Sequence, residues 1–278
     1  MYKIMTPGPT QVAENVRLAR SKECTNPDLD TDFVEFYKET CEEISRLLHT
    51  ENETLILGGE GILGLEAACA SMTEPGDRVL VLDNGIYGRG FADFVSMYGG
   101  KPELYSRDYR ETLDVQELEN FLKDHHDYKY ATVVHGDTPS GMLNDISAIC
   151  PLLKKYGIMT VVDSVSASFG EPMRISDWKV DIMCGGSQKV ISAIAYYFLA
   201  ESAGASISSF ALLISSFASF TPSLKLFTPF PNPRINSGIF LPPKRRRITR
   251  AIMIHSEPLG KKPNNNKFVI CLFIIEVY

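Results

Sequence analysis

The run DISAICPLLKKYGIMTVVDS, residues 145–164, holds one helix–strand unit. DISAICPLLKKYG has the look of a helix that Gly157 stops, and IMTVVDS that of a buried strand ending in an acid and a serine. The same alternation extends on both sides. TLILGG (54–59) is a short apolar run ending in glycines, and GILGLEAACASM (61–72) carries apolar residues at helical spacing. EPGD (74–77) is a turn, RVLVLD (78–83) a buried strand, and GRGFADFVSMYG (88–99) a helix. DVQELENFLKDH (114–125) is a further helix with Asp114 as N-cap. YATVVHGD (130–137) is a strand ending in polar residues, and VDIMCGGSQK (180–189) is a last short strand running into a lysine.

Strands alternating with three-turn helices predict an α/β fold, with a mainly parallel sheet covered by helices on both faces. In such sheets ligands bind beyond the carboxyl ends of the strands. The chemically interesting residues sit at those ends: 59–61, 83–87, 135–141, Asp163 and Lys189. One pocket could collect them all.

The chain has 278 residues, 44% of them hydrophobic and 22% charged, which excludes wholesale disorder. A net charge of −6 argues against nucleic acid as the main partner. The six cysteines (Cys24, Cys41, Cys69, Cys150, Cys184, Cys271) lack CxxC spacing, so reduced thiols and a cytoplasmic location are expected, with no metal site. The N-terminal MYKIMTPGPT holds no apolar run of the secretory kind. The charge is unevenly placed. Residues 194–278 carry ten Lys and Arg against three acids, while residues 1–193 carry 18 against 31.

The texture changes at the same point. SAGASISSFALLISSFASFTPS (202–223) has no clear period, a proline-punctuated segment follows, and KRRR (244–247) and KKPNNNK (261–267) precede the apolar end FVICLFIIEVY. No further strand–helix–strand unit is legible there. The uncharged run 202–223 is too rich in serine to predict a membrane span, and KRRR is read as an incidental basic run.

Several residues carry two readings. Gly61, where a strand end meets a helix start, could cradle a phosphate on free N–H groups or could be an ordinary glycine-rich turn. Asp163 could pair with a cationic ring nitrogen, cap a helix or sit in a surface turn. Lys189 could form a Schiff base, contact a phosphate or sit solvated. Tyr87, between glycines, could stack on a flat ring or simply pack. Jointly, a phosphate cradle, an aromatic, an acid and a lysine are the parts needed to hold pyridoxal 5'-phosphate.

With these residues in view, the sequence resembles the class V aminotransferases of the type I pyridoxal phosphate fold, and among them the alanine–glyoxylate and serine–pyruvate group. The resemblance covers about residues 3–193. It rests on TPGPT (6–10), GGEGILGLEAA, EPGDRVLVLDNGIYG, HGDTPSG (135–141), VVDSVSASFG (161–170) and GGSQK, in order and with family spacing. It implies that Lys189 carries the cofactor as an imine and shuttles the substrate's α-proton. It implies that Asp163 pairs with the ring nitrogen, Val165 packs under the ring, and Tyr87 stacks on the other face. Thr138 would hydrogen-bond the ring oxygen. Gly61 and Ile62 would give backbone N–H groups to the phosphate, and Gln188 its side-chain amide. Pro7, Gly8 and Pro9 would line the substrate side. Small amino acids and 2-oxo acids such as pyruvate or glyoxylate are the implied substrates, and a homodimer the implied assembly.

There are departures. Glu60 and Ile62 stand where the family often has Ser, Thr or His, and Asp137 where it usually has glutamate. After the lysine the chain reads SAIAY where the family has SAPPG or SAPAG. Residues 1–193 are therefore expected to form an incomplete cofactor-binding large domain. Residues 194–278 are expected to be a poorly ordered tail, unlike the family, from a truncated or frameshifted frame. The small C-terminal domain and its substrate-gripping arginine would be missing or replaced, and neither Arg234 nor Arg250 sits in a motif that would supply it. Two alternatives stay open: an inactive fragment, and a lyase or desulfurase of the same superfamily, for which Cys271 is a poor candidate.

Overall fold

The computed structural model of the protein describes residues 3–22, 29–58, 61–193 and 270–275. Helices α1 (Glu14–Arg20) and α2 (Thr31–Leu47) precede β1 (Thr54–Gly58). Then come α3 (Gly61–Met72), β2 (Arg78–Asp83), α4 (Ile86–Met97), β3 (Lys101–Ser106), α5 (Val115–Asp124) and β4 (Tyr130–Val134). The short strands β5 (Gly136–Asp137) and β6 (Met142–Leu143) form a hairpin, followed by α6 (Ile146–Lys155), β7 (Met159–Asp163), β8 (Ile182–Gly186) and β9 (Ile270–Ile275).

Among the described residues, seven strands form one sheet in the order β1-β9-β8-β7-β4-β2-β3. Every neighbouring pair in it is parallel. All carboxyl ends therefore lie along one edge. From β2 the chain steps outward to β3, then returns past β2 to β4, β7 and β8, so the strand order reverses at β2, the kind of point beside which such sheets bind ligands.

Side-chain alternation divides the sheet into two faces. Leu80, Leu82, Ala131, Val133, Val162 and Met183 point into a core shared with Leu118 and Leu122 of α5 and with Ile146, Ile149 and Leu153 of α6. The intervening residues point the other way, toward α3 and α4. Tyr130, next to Ala131, sends its hydroxyl to within 2.7 Å of Thr73 Oγ1 at the end of α3. By the same alternation Asp163, next to Val162, faces the α3/α4 side. Each fully buried leucine in this core contributes roughly 1.5–3 kcal/mol.

Local chemistry sets the element ends. Asp114 caps α5 by accepting from the Glu117 N–H at 2.8 Å, as its position predicts. Gly157 ends α6 with φ +77°, while the Ile158 N–H donates to Leu153 O at 3.1 Å. The strand predicted over 130–137 splits instead. β4 ends at Val134, where the His135 N–H closes the last pair of the ladder by donating to Asp163 O at 2.7 Å, and Gly136–Asp137 then pairs within its own hairpin.

Pattern reading assigns no element to FVICLFIIEVY, yet Ile270–Ile275 enters the sheet between β1 and β8. Gly59, Glu60, the run 202–223, KRRR, Arg234, Arg250 and the break expected after Ala193 lie outside the described residues. Among the described residues no helix is long and apolar enough to cross a membrane, and no group of three or more His, Cys, Asp or Glu is placed to hold a metal ion.

Candidate active site

Asp163 is the last residue of β7 and only 6% exposed. The Val165 N–H donates to its Oδ1 at 3.0 Å. Burial pushes the carboxyl up to about 6, with the Val165 N–H opposing, the charge of Asp137 adding, and the charge of Lys189 opposing. A buried carboxylate held by one backbone N–H and facing two opposed charges is suited to a further cationic N–H.

Neighbouring strand β8 delivers the lysine. Its end runs through buried Ser187 to Gln188 and half-buried Lys189. Desolvation pulls the Lys189 ammonium below its usual value, opposed by Asp163. That bias favours the neutral amine, the nucleophilic form. Parallel pairing of β7 with β8 thus brings together two residues 26 positions apart.

Gly61 opens α3 against the same loop. A Cβ there would lie 3.3 Å from Val165 Cγ1 and 3.4 Å from Gln188 Nε2, and one at Gly186 would lie 2.7 Å from Gln188 Oε1 and 2.9 Å from Val165 Cγ1. The Val165 and Gln188 side chains therefore pack against both Gly61 and Gly186 at the N-terminus of a helix. The N-terminal segment closes over them: the Thr10 N–H donates to Gln188 O at 3.2 Å, and Thr10 Oγ1 donates to Lys189 O at 2.7 Å. Gly8 lies against the Lys189 side chain. Gly8 and Pro9 are partly buried, and Pro7 is exposed.

Thr138 joins the cluster through Ser166, their hydroxyl oxygens 2.5 Å apart. Asp137 is buried beside Gly85, where a Cβ would meet its carboxylate at 2.6–2.9 Å. Its Oδ2 accepts from Ser140 Oγ at 2.6 Å, while Oδ1 is buried with no hydrogen-bond partner among the described residues. Tyr87 and Ile62, in the first turns of α4 and α3, are 47% and 57% exposed. The contact between Gly85 and Asp137 links the start of α4 to the Thr138 loop.

Two supports escape sequence reasoning. Ser166 shows only as one of the alternating serines in VVDSVSASFG. His135 is buried, with Nδ1 3.0 Å from Ser164 Oγ and the Trp178 ring edge-on at 6.4 Å. Desolvation holds its imidazole down to about 4, so it is neutral near pH 7 and stitches the ends of β4 and β7 together.

Residues 6–194 match the family model described as aminotransferase class-V. The chain belongs to the class V aminotransferases. The matched span of this class V aminotransferase chain contains every site residue named above. A pyridoxamine–pyruvate transaminase of Mesorhizobium japonicum is 37% identical over 168 residues, 60% of this chain and 42% of that protein. A 2-aminoethylphosphonate–pyruvate transaminase of Phocaeicola vulgatus is 25% identical over 195 residues, 69% of this chain and 54% of that protein. Among solved structures, a pyridoxamine–pyruvate aminotransferase of Mesorhizobium loti is similar with TM-score 0.66 and 33% identity, covering 69% of this chain and 49% of that one. A ureidoglycine–glyoxylate aminotransferase of Bacillus subtilis is similar with TM-score 0.67 and 28% identity, covering 70% and 50%. The class V chain thus spans about half the length of the curated relatives it matches.

Proposed function

We propose that this chain holds pyridoxal phosphate on Lys189 and belongs to a transaminase that moves an amino group from a small amino acid to a 2-oxo acid such as pyruvate or glyoxylate. The observation that carries this is the Lys189–Asp163 pair: an amine biased toward its neutral form beside a buried carboxyl suited to a cationic N–H, at adjacent strand ends. Several similar proteins are named as transaminases with pyruvate or glyoxylate as a partner, which supports the acceptor class.

The residues present fit the group. Gly61 and Gly186 make room for the Val165 and Gln188 side chains at the start of α3, where free N–H groups and the helix dipole favour a phosphate. When bound, pyridoxal phosphate supplies an aldehyde that condenses with amines and a ring that withdraws electrons. Asp163 would accept the ring N–H through its carboxylate. Val165 would pack on one face of the ring and Tyr87 would cover the other. Thr138 Oγ1, fixed by Ser166, would reach the ring oxygen. The Gln188 amide and the Gly61 and Ile62 N–H groups would hold the phosphate. Lys189 Nζ would take the α-proton from the substrate and return it. Pro7, Gly8 and Pro9 would line the substrate side.

A homodimer in the cytoplasm fits this reading. The described cysteines Cys41, Cys69, Cys150 and Cys184 are buried thiols. A second reading keeps cofactor binding but not turnover. It is favoured by the span of the match, which stops at residue 194 and covers about half of the relatives. One experiment separates the two. With pyridoxal phosphate, the purified chain should absorb at visible wavelengths and Lys189→Ala should not. Bleaching by L-alanine supports turnover, colour without bleaching supports binding only, and no colour sinks both.

A further inference from the structure

A Cβ built on Gly8 would lie 2.5 Å from Lys189 Cδ and 2.7 Å from Cε, and closer still to Nζ. Three consecutive atoms of the lysine side chain fill the space where any other residue would begin, and real Cβ atoms essentially never come within 3.0 Å of a heavy atom. The backbone on either side is pinned. Thr6 Oγ1 donates to Pro9 O at 2.9 Å, closing a turn over Gly8. Thr10 Oγ1 donates to Lys189 O at 2.7 Å and its N–H to Gln188 O at 3.2 Å. On the lysine side, the Ser192 N–H donates to Lys189 O at 3.0 Å and the Ala193 N–H to Ser187 O at 2.9 Å. With both main chains held, the flexible end of the lysine is the part that must yield to a side chain at position 8.

We propose that Gly8 is a positioning residue for Lys189: its bare Cα is the wall that holds the amine in its half-buried place beside Asp163, and Thr10 latches that wall. The proposal rests on the reading of Lys189 as the amine that receives the cofactor. In that step Lys189 Nζ adds to the aldehyde carbon, the carbonyl oxygen leaves as water, and a C=N bond remains. Borohydride then delivers hydride to the carbon, a proton reaches the nitrogen, and the adduct is fixed as an amine. A lysine displaced by a methyl group at position 8 would meet the aldehyde out of line and in a wetter setting. A misplacement of about 1 Å costs on the order of a hundredfold in rate.

The test uses the full chain and its Gly8→Ala and Thr10→Val variants, mixed with pyridoxal 5'-phosphate. Borohydride trapping, with peptide mass mapping, times adduct formation at Lys189 across pH. Binding of pyridoxamine 5'-phosphate, which has no aldehyde, is measured alongside. G8A should form the Lys189 adduct on the order of a hundredfold more slowly, with the pH midpoint moved up because the amine is no longer desolvated. It should bind pyridoxamine phosphate as the wild type does. T10V adds no atom at position 8 and should slow the adduct less, in the same direction. G8A reacting at the wild-type rate and midpoint overturns the proposal alone, as does equal weakening of both ligands. T10V reacting like the wild type removes the latch and counts against it, even where G8A does not fold. A wild-type chain that forms no adduct at Lys189 overturns the reading of the lysine, and this proposal with it.

Discussion

Asp163 and His135 lie back to back across two strand ends and titrate with opposite signs. The Asp163 carboxyl sits near 6 when folded, above its unfolded value, so its contribution to stability is full at low pH and is lost as pH rises through 6. Asp163→Asn should therefore stabilise the cofactor-free chain at pH 8 by on the order of 2–3 kcal/mol, with the two curves converging near pH 4. Urea unfolding checks this, and a variant less stable than wild type at pH 8 would refute the buried-charge account. The same variant should bind pyridoxal phosphate more weakly. His135 is held down to about 4, so its contribution is present above the ordinary imidazole range and lost as pH falls toward 4. His135→Gln should flatten that acid limb of the stability profile. An unchanged acid limb would assign the slope to other groups. Lys189, Asp163, Gly61 and Thr138 were legible because each stands in a short motif at a strand end. Ser166 and His135 were not, since a serine or histidine has no meaning until its partner's position is known.

The helices and strands differ in how plainly their patterns speak. α5 is amphipathic, buries Leu118 and Leu122 one turn apart, and begins at a capping aspartate. Asp114→Ala should cost about 1 kcal/mol by thermal or urea unfolding. Gly157→Ala, at φ +77°, should cost a comparable amount, roughly 1 kcal/mol. A neutral result at either position would mean that the helix end is held by tertiary packing instead. β3 escapes pattern reading because it is an edge strand: paired on one side only, KPELYS buries Tyr105 alone and spends its other positions on partly or fully exposed residues. α2 is hard to read for a related reason, with Val34 and Phe36 more than 60% exposed along a helix whose buried positions are few.

At the scale of the molecule, the sheet depends on a strand far away in sequence. β9 pairs with β1 through Thr54↔Cys271 to Gly58↔Ile275, and with β8 through Ile182↔Ile270 to Gly186↔Ile274. A central strand donates N–H groups on both sides, so its amides should exchange slowly with deuterium. Leu272→Pro should lower the melting temperature by removing a ladder donor and clashing within the sheet. Fast exchange over 270–275 in the native chain would detach β9 from the sheet. The sequence alone determined the α/β class, the Asp114 cap, the stop at Gly157, and the family over residues 6–194, because these rest on periodicity and on motifs whose residues lie close together in the chain. Only the tertiary structure decided three further points: that β9 lies between β1 and β8, that the His135 N–H closes the β4–β7 ladder on Asp163 O, and that Gly8 rests on Lys189. Each of these is a contact between segments well separated along the chain, and its energy depends on distance and burial that no local pattern encodes.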